Sequence, residues 1–189
     1  MPLLIGLLLA AGSGKRYGLP KALAETDGVP WVTSSARALS DGGCDPVVVV
    51  VGAAAEQVRR LLDPTIVVVE ATDWATGMGA SLRAGLAAID DLPGEAALVH
   101  LVDLPDVGAD VVRRVGASCA PDVLARADYA GEPGHPVLIG RQHWSGVLSA
   151  AVDDTGARDY LSRHEVARID CSDLASGQDI DRRGPMLGR

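Results

Sequence analysis

The sequence contains no phenylalanine, and aromatic residues make up only 3% of its 189 positions. Its core must therefore be filled by Val, Leu, Ile and Ala. There are three cysteines, Cys44, Cys119 and Cys171, with no C-x-x-C pair, which argues against a zinc knuckle or a thioredoxin-type motif. Widely spaced, odd-numbered thiols and an apolar start without a basic leader region point to reduced cysteines and a cytoplasmic location. No apolar run approaches the roughly 20 residues of a membrane span. Positive charge is also scarce, since 17 Lys and Arg against 25 Asp and Glu leave a net charge of −8. Nucleic acids and anionic membranes require a positive footprint, so neither is expected as a partner. A small phosphorylated ligand remains open, because a few local donors can hold it whatever the overall charge.

What the chain does have is alternation. Leu3–Leu9, Val47–Val51, Ile66–Val69 and Ala96–Val102 are short continuous apolar runs, as in strands buried on both faces. Between them lie helical stripes: Val32, Ala36 and Leu39; Val58, Leu61 and Leu62; and Leu82, Leu86 and Ile89. This alternation predicts a mostly parallel sheet covered by helices on both sides. Ligands of such sheets sit beyond the carboxyl ends of the strands, so Ala10–Lys21, Glu70–Ala80 and Asp103–Val107 become the loops of interest. After Cys119 the pattern predicts a hairpin (Val123–Tyr129, a turn at Gly131–Gly134, Pro136–Ile139). Short helices over Trp144–Val152 and Ala157–Arg163 and a strand at Val166–Asp170 follow. One domain spans 1–189, with halves at 1–118 and 119–181 and a frayed tail at 182–189.

The most informative stretch runs from Leu9 through Ala10, Ala11, Gly12, Ser13, Gly14, Lys15, Arg16, Tyr17 and Gly18 to Lys21. Its glycines let backbone N–H groups approach an anion, and its three cations reverse the field of an acidic chain. A G-x-x-x-x-G-K-[ST] P-loop is absent, and the glycines read G-x-G-x-x-x-G, not the dinucleotide fingerprint. The acidic residue that would hold a ribose after the second strand of that fold is missing too, where the chain reads Val51-Gly52-Ala53-Ala54.

The loop resembles the L-A-[AG]-G-x-S/G-x-R-[MFY]-G-x-x-K signature of the MobA-like nucleotidyltransferases. Its Ala-Ala-Gly form is similar to the molybdenum cofactor cytidylyltransferase branch. Five further segments resemble that family in order: Asp73–Leu86, Leu101–Pro105, Gly134–Leu138, Gly156–Arg158 and Asp179–Asp181. Tyr17 stands where Met or Phe is commoner, and the usual T-P-x-D after D-I-D is replaced by Arg182-Arg183-Gly184-Pro185.

The resemblance implies a three-layer, Rossmann-like α/β domain of the nucleotide-diphospho-sugar transferase type. It implies transfer of a nucleoside monophosphate from CTP or GTP to a phosphorylated acceptor such as molybdopterin, CTP being favoured by Ala11. Leu9–Lys15, Gly77 and Ser81 would bind the nucleotide. Arg16 would contact the β,γ-phosphates and Lys21 the α-phosphate. Asp103, with Asp179 or Asp181, would hold Mg²⁺, and His135 and Arg158 would face the acceptor. A molybdoenzyme or a second copy of the chain would be the protein partner. The stretches D-W-A-T-G-M-G and G-G-C-D-P also resemble a divergent nicotine blue reductase branch that uses NAD(P)H, and a non-catalytic nucleotide-binding module is the third reading. Outside the motifs, His100 reads as a satisfied core histidine, and Asp90–Asp91 and Asp153–Asp154 as solvated helix ends. Trp74 and Met78 suit either packing or a pocket wall.

Overall fold

The computed structural model describes residues 3–181; the tail predicted at 182–189 lies outside them. The apolar runs form the centre of the sheet. β1 (Leu4–Leu9) and β4 (Val47–Val51) are buried along their whole length, and β6 (Ala96–Leu101) nearly so. Each such Val or Leu is stabilised by about 1.5–3 kcal/mol relative to full exposure, and only a strand covered on both sides can use every residue this way. β5 (Val67–Glu70) is at one edge of the sheet and is less buried.

Three further strands complete a seven-stranded sheet: β7 (Leu124–Tyr129), β8 (Glu132–Gly140) and β9 (Ala167–Asp170). The order is β5-β4-β1-β6-β8-β7-β9. Every pairing is parallel except those of β8, which runs against both β6 and β7. One face is covered by α1 (Trp31–Asp41), α2 (Ala55–Arg59) and α4 (Ala109–Gly116). On it Leu4, Leu8 and Val49 pack against Val32, Leu39, Val58 and Val112. The other face is covered by α3 (Met78–Ile89), α5 (Trp144–Ala150) and α6 (Arg158–Leu161), with Leu7, Val48 and Ile139 against Leu82, Leu86 and Trp144. This is the three-layer α/β architecture expected from the sequence. No described helix is long and apolar enough to cross a membrane.

Several details differ from the sequence pattern. α2 stops at Arg59, so Leu61 and Leu62 lie beyond it, in the turn before Asp63 and Pro64. The hairpin turn is Ala130–Gly131, not Gly131–Gly134. Both residues have positive φ, 54° and 91°, and Tyr129 pairs directly with Glu132. That is the two-residue turn whose twist matches an antiparallel pair, so β8 starts earlier and carries His135 within a strand. α4 and the small ribbon of β2 (Glu25–Thr26) and β3 (Val29–Pro30) were not anticipated.

Candidate active site

The loop after β1 begins as an extension of the sheet, with Ala10 N–H donating to Val50 O (2.9 Å) and Ala53 N–H to Ala11 O (2.9 Å). The chain then turns away at Gly12 and closes on itself, Gly18 N–H reaching Gly14 O at 2.8 Å. Gly14 has φ +61°, and a Cβ there would lie 1.8 Å from Leu19 O. No side chain fits without opening the loop. Gly14→Ala is therefore expected to weaken nucleoside triphosphate binding by at least about tenfold, the equivalent of 1.4 kcal/mol. Isothermal titration of the variant checks this, and unchanged affinity would remove the loop from the site.

At the floor of the loop, Lys21 meets two carboxylates. Its Nζ lies 2.8 Å from Asp103 Oδ2 at the end of β6, and 2.8 Å from Asp181 Oδ1, 160 residues away in sequence. Asp181 also faces Arg16, at 3.7 Å. The Lys21 and Asp103 side chains are only 15% and 20% exposed, against 51% for Asp181. Burial by itself lowers the Lys21 ammonium, but the hydrogen bonds and charges of Asp103 and Asp181 reverse this and raise it above the ordinary lysine value. The C-terminal segment is brought back by Ile180 N–H on Asp103 O (3.1 Å) and by Ser176, whose N–H and Oγ donate to Asp106. Asp103, Asp179 and Asp181 can each offer an oxygen within 4.8 Å of the others, and Asp103 Oδ1 is buried without a hydrogen-bond partner among the described residues. A buried anionic oxygen in that state is suited to a cation.

These groups border a cavity of about 470 Å³. Leu9, Ala11, Gly12, Ser13, Gly14, Lys15, Arg16, Lys21, Gly77, Ser81, Asp103 and Asp181 line it, whereas Ala10 turns into the core. Its far wall is the loop before α3. Gly77 has φ +129°, and a Cβ there would lie 2.6 Å from the Asp153 backbone. The 152–156 segment packs against that point, with Gly79 N–H on Asp153 O at 2.7 Å and Met78 N–H towards Asp154 Oδ1 at 3.4 Å. Asp154, read from sequence as a solvated helix end, is thus part of the cavity wall, as are Trp74 and Met78. Only the fold brings residue 154 to α3, so local pattern carried no signal for it.

His135 and Arg158 do not line this cavity. His135 sits in β8, the strand next to β6, and its carbonyl accepts from Tyr129 Oη at 2.7 Å. Its imidazole keeps some exposure yet is pushed down to about 3, by burial first and then by His100 and Arg126. His100 is a core residue as expected, 0% exposed, but it is not satisfied. Neither ring nitrogen has a hydrogen-bond partner among the described residues. Burial, opposed by the charge of Asp106, pushes it down to about 4.

Comparison with known proteins agrees with the fold and gives the family. Residues 6–168 match the model of the MobA-like NTP transferase domain. The chain belongs to that family. It is an enzyme of the nucleotidyltransferase class that the family defines. Across 96% of this chain and 93% of the other, it is 39% identical to the nicotine blue oxidoreductase of Paenarthrobacter nicotinovorans. A nucleotidyl transferase from Methanothermobacter thermautotroptrophicus shares the fold with a TM-score of 0.79 at 20% identity, covering 95% of this chain and 92% of that one. So does the Rv0371c protein of Mycobacterium tuberculosis H37Rv in complex with manganese, with a TM-score of 0.72 at 24% identity and coverage of 89% and 88%.

Proposed function

We propose that this enzyme transfers a nucleoside monophosphate from a nucleoside triphosphate to a phosphorylated acceptor of the molybdopterin type, with a divalent cation held by Asp103 and by Asp179 or Asp181. The observation that carries this reading is the Lys21–Asp103–Asp181 constellation beneath a glycine loop, with one buried Asp103 oxygen free to ligate. The three carboxylates suit Mg²⁺, and the manganese complex of a structural neighbour supports a divalent ion in this fold. Bound there, the ion would neutralise charge on the triphosphate and on departing pyrophosphate.

The chain's own groups do the rest. Ala11–Gly14 line the cavity, and their N–H groups would hold the nucleotide. Arg16 is exposed at the rim, where it can follow the β- and γ-phosphates. Lys21, released from one carboxylate, reaches the α-phosphate. An acceptor oxygen attacks the α-phosphorus, the bond from that phosphorus to the α,β-bridging oxygen breaks, and pyrophosphate leaves. Such a transfer depends mainly on in-line positioning and fixed charge. Ala11 favours CTP over GTP, residues 1–118 serve the nucleotide, and 119–181 serve the acceptor. The site of action is the cytoplasm.

A second reading, an NAD(P)H-dependent reductase, is favoured by the 39% identity to an oxidoreductase. Against it, β4 is followed by Gly52-Ala53-Ala54 with no acid for a ribose, and Arg16, Lys21 and Asp103 are retained. A thermal-shift panel of CTP, GTP, ATP, UTP, NADH and NADPH, with and without Mg²⁺, separates the two. At 100 times Kd an NTP adds about 2.7 kcal/mol of stability. The transferase reading expects such a shift from CTP with Mg²⁺, followed by pyrophosphate release when acceptor is added. A shift from NADPH alone would overturn it.

A further inference from the structure

The two sides of the cavity differ in charge. Among the described residues that line it, the only cations are Lys15, Arg16 and Lys21, all from the glycine loop. The wall at the start of α3 carries none. It is made by Trp74, Gly77, Met78 and Ser81 and bears one carboxylate, that of Asp154. A triphosphate is drawn to the cations and repelled by that carboxylate, so the far wall meets an uncharged part of the ligand.

Asp154 is fixed to the nucleotide half although it comes from residues 119–181. Gly79 N–H donates to Asp153 O at 2.7 Å, and a Cβ on Gly77 would lie 2.6 Å from Asp154 Oδ1. Among the described residues Asp154 has no ion pair, and its one hydrogen bond is the long contact from Met78 N–H, 3.4 Å. An N–H···O bond is ordinarily about 2.9–3.0 Å, so most of the carboxylate's accepting capacity is unused. A carboxylate at neutral pH accepts and does not donate, so it selects an N–H or O–H group. Beside it the Trp74 ring lies against Gly52, where a Cβ would come within 2.5 Å of Trp74 Cγ. Met78 is 40% exposed. An indole and a thioether form a surface for a flat heteroaromatic ring, which a ribose is not. A flat ring with a donor on its rim describes an aminated nucleobase.

We propose that Asp154 determines nucleobase specificity by accepting a hydrogen bond from an exocyclic amine, one that cytosine and guanine carry and uracil and hypoxanthine lack. The assignment rests on the transferase reading, in which the cavity holds a nucleoside triphosphate.

The test is isothermal titration, with Mg²⁺ present, of CTP against UTP and of GTP against ITP. Each is titrated into the full chain and into Asp154→Ala and Asp154→Asn. The wild type should bind the amine-bearing member of one pair about tenfold or more tighter, and the responding pair names the base. Asp154→Ala should bring that ratio close to one. If cytosine is the base, Asp154→Asn should also gain affinity for UTP, whose O4 accepts from the new amide. Folding is checked by circular dichroism. If Asp154→Ala does not fold, the isosteric Asp154→Asn decides through the same ratio. A wild type without preference in either pair overturns the assignment and leaves the transferase reading standing. So does a variant that weakens every nucleotide alike with its ratios unmoved, the result of a purely structural contact with α3. Binding of NADPH with no nucleoside triphosphate bound overturns both.

Discussion

Lys21→Ala is expected to move two measurements in opposite directions. Turnover, followed as pyrophosphate release, falls by about 10²–10³-fold, the cost of removing one preorganised charge from a developing anion. Divalent affinity rises instead, by about tenfold, because the ammonium that bridges Asp103 and Asp181 at 2.8 Å on each side no longer competes for them. Asp103→Asn loses both, since it removes the carboxylate whose Oδ1 is buried without a hydrogen-bond partner among the described residues. Manganese titration followed by electron paramagnetic resonance, beside pyrophosphate release, reads the two effects separately. A Lys21→Ala enzyme with wild-type turnover would end the mechanistic assignment. Unchanged metal affinity would mean that the three carboxylates are not the metal site.

His100→Leu should stabilise the protein and flatten its acid limb. Two buried ring nitrogens without partners cost about 1–3 kcal/mol, and leucine fills similar space with none. In a chain of this size each kcal/mol raises Tm by about 2–4 °C. The pH dependence follows from the direction of the shift. The folded-state value is depressed from 6.5 to about 4, so the native state keeps the ring neutral while the unfolded chain takes up a proton below about pH 6.5. His100 therefore costs nothing extra above that pH. It withdraws about 1.4 kcal/mol per unit as the pH falls towards 4, and the loss levels off below that. His135, depressed further and mainly by burial, adds a slope of the same sign, which the variant retains only in part because His100 contributes to it. Urea unfolding at pH 7.5 and pH 5 checks this, and an unaltered pH 5 loss in His100→Leu would refute it.

The sequence and the structure agree where one local rule governs. Five consecutive valines can satisfy only a strand covered on both sides, and β4 occupies Val47–Val51 as read. The loop from Leu9 to Lys21 was legible because glycine and cation spacing has few structural uses. α4 escaped notice even though Val111, Val112 and Val115 form its buried stripe, because Asp110, Arg113 and Arg114 break its apolar pattern over only eight residues. Long-range placement was invisible. Nothing in the local pattern near residue 181 says that it will meet residue 21, and only its resemblance to a family motif drew attention to it. Asp154 was missed for the same reason. A charged residue outside a long element reads as solvated, and only the crossing of distant segments shows that it borders a cavity. The pattern likewise placed His100 in a strand but could not say which side chains would face it.

The one reversed strand also bears on how such an enzyme diversifies. β8 meets the Asp103 strand through four registered pairs, Ala96 with Gly140 to Val99 with Val137. Beyond that seam the sheet continues through the β7–β8 hairpin and β9, with α5 and α6 on one face. Under the proposed function, substitutions in that hairpin and in α5 and α6, as distinct from the 179–181 segment that meets Lys21 and Asp103, can refashion the acceptor end without moving Lys21 or Asp103. A sheet divided in this way behaves as a fixed socket beside an exchangeable one. Such a division would let a chain 39% identical to an oxidoreductase keep the phosphate-handling groups proposed for a transferase.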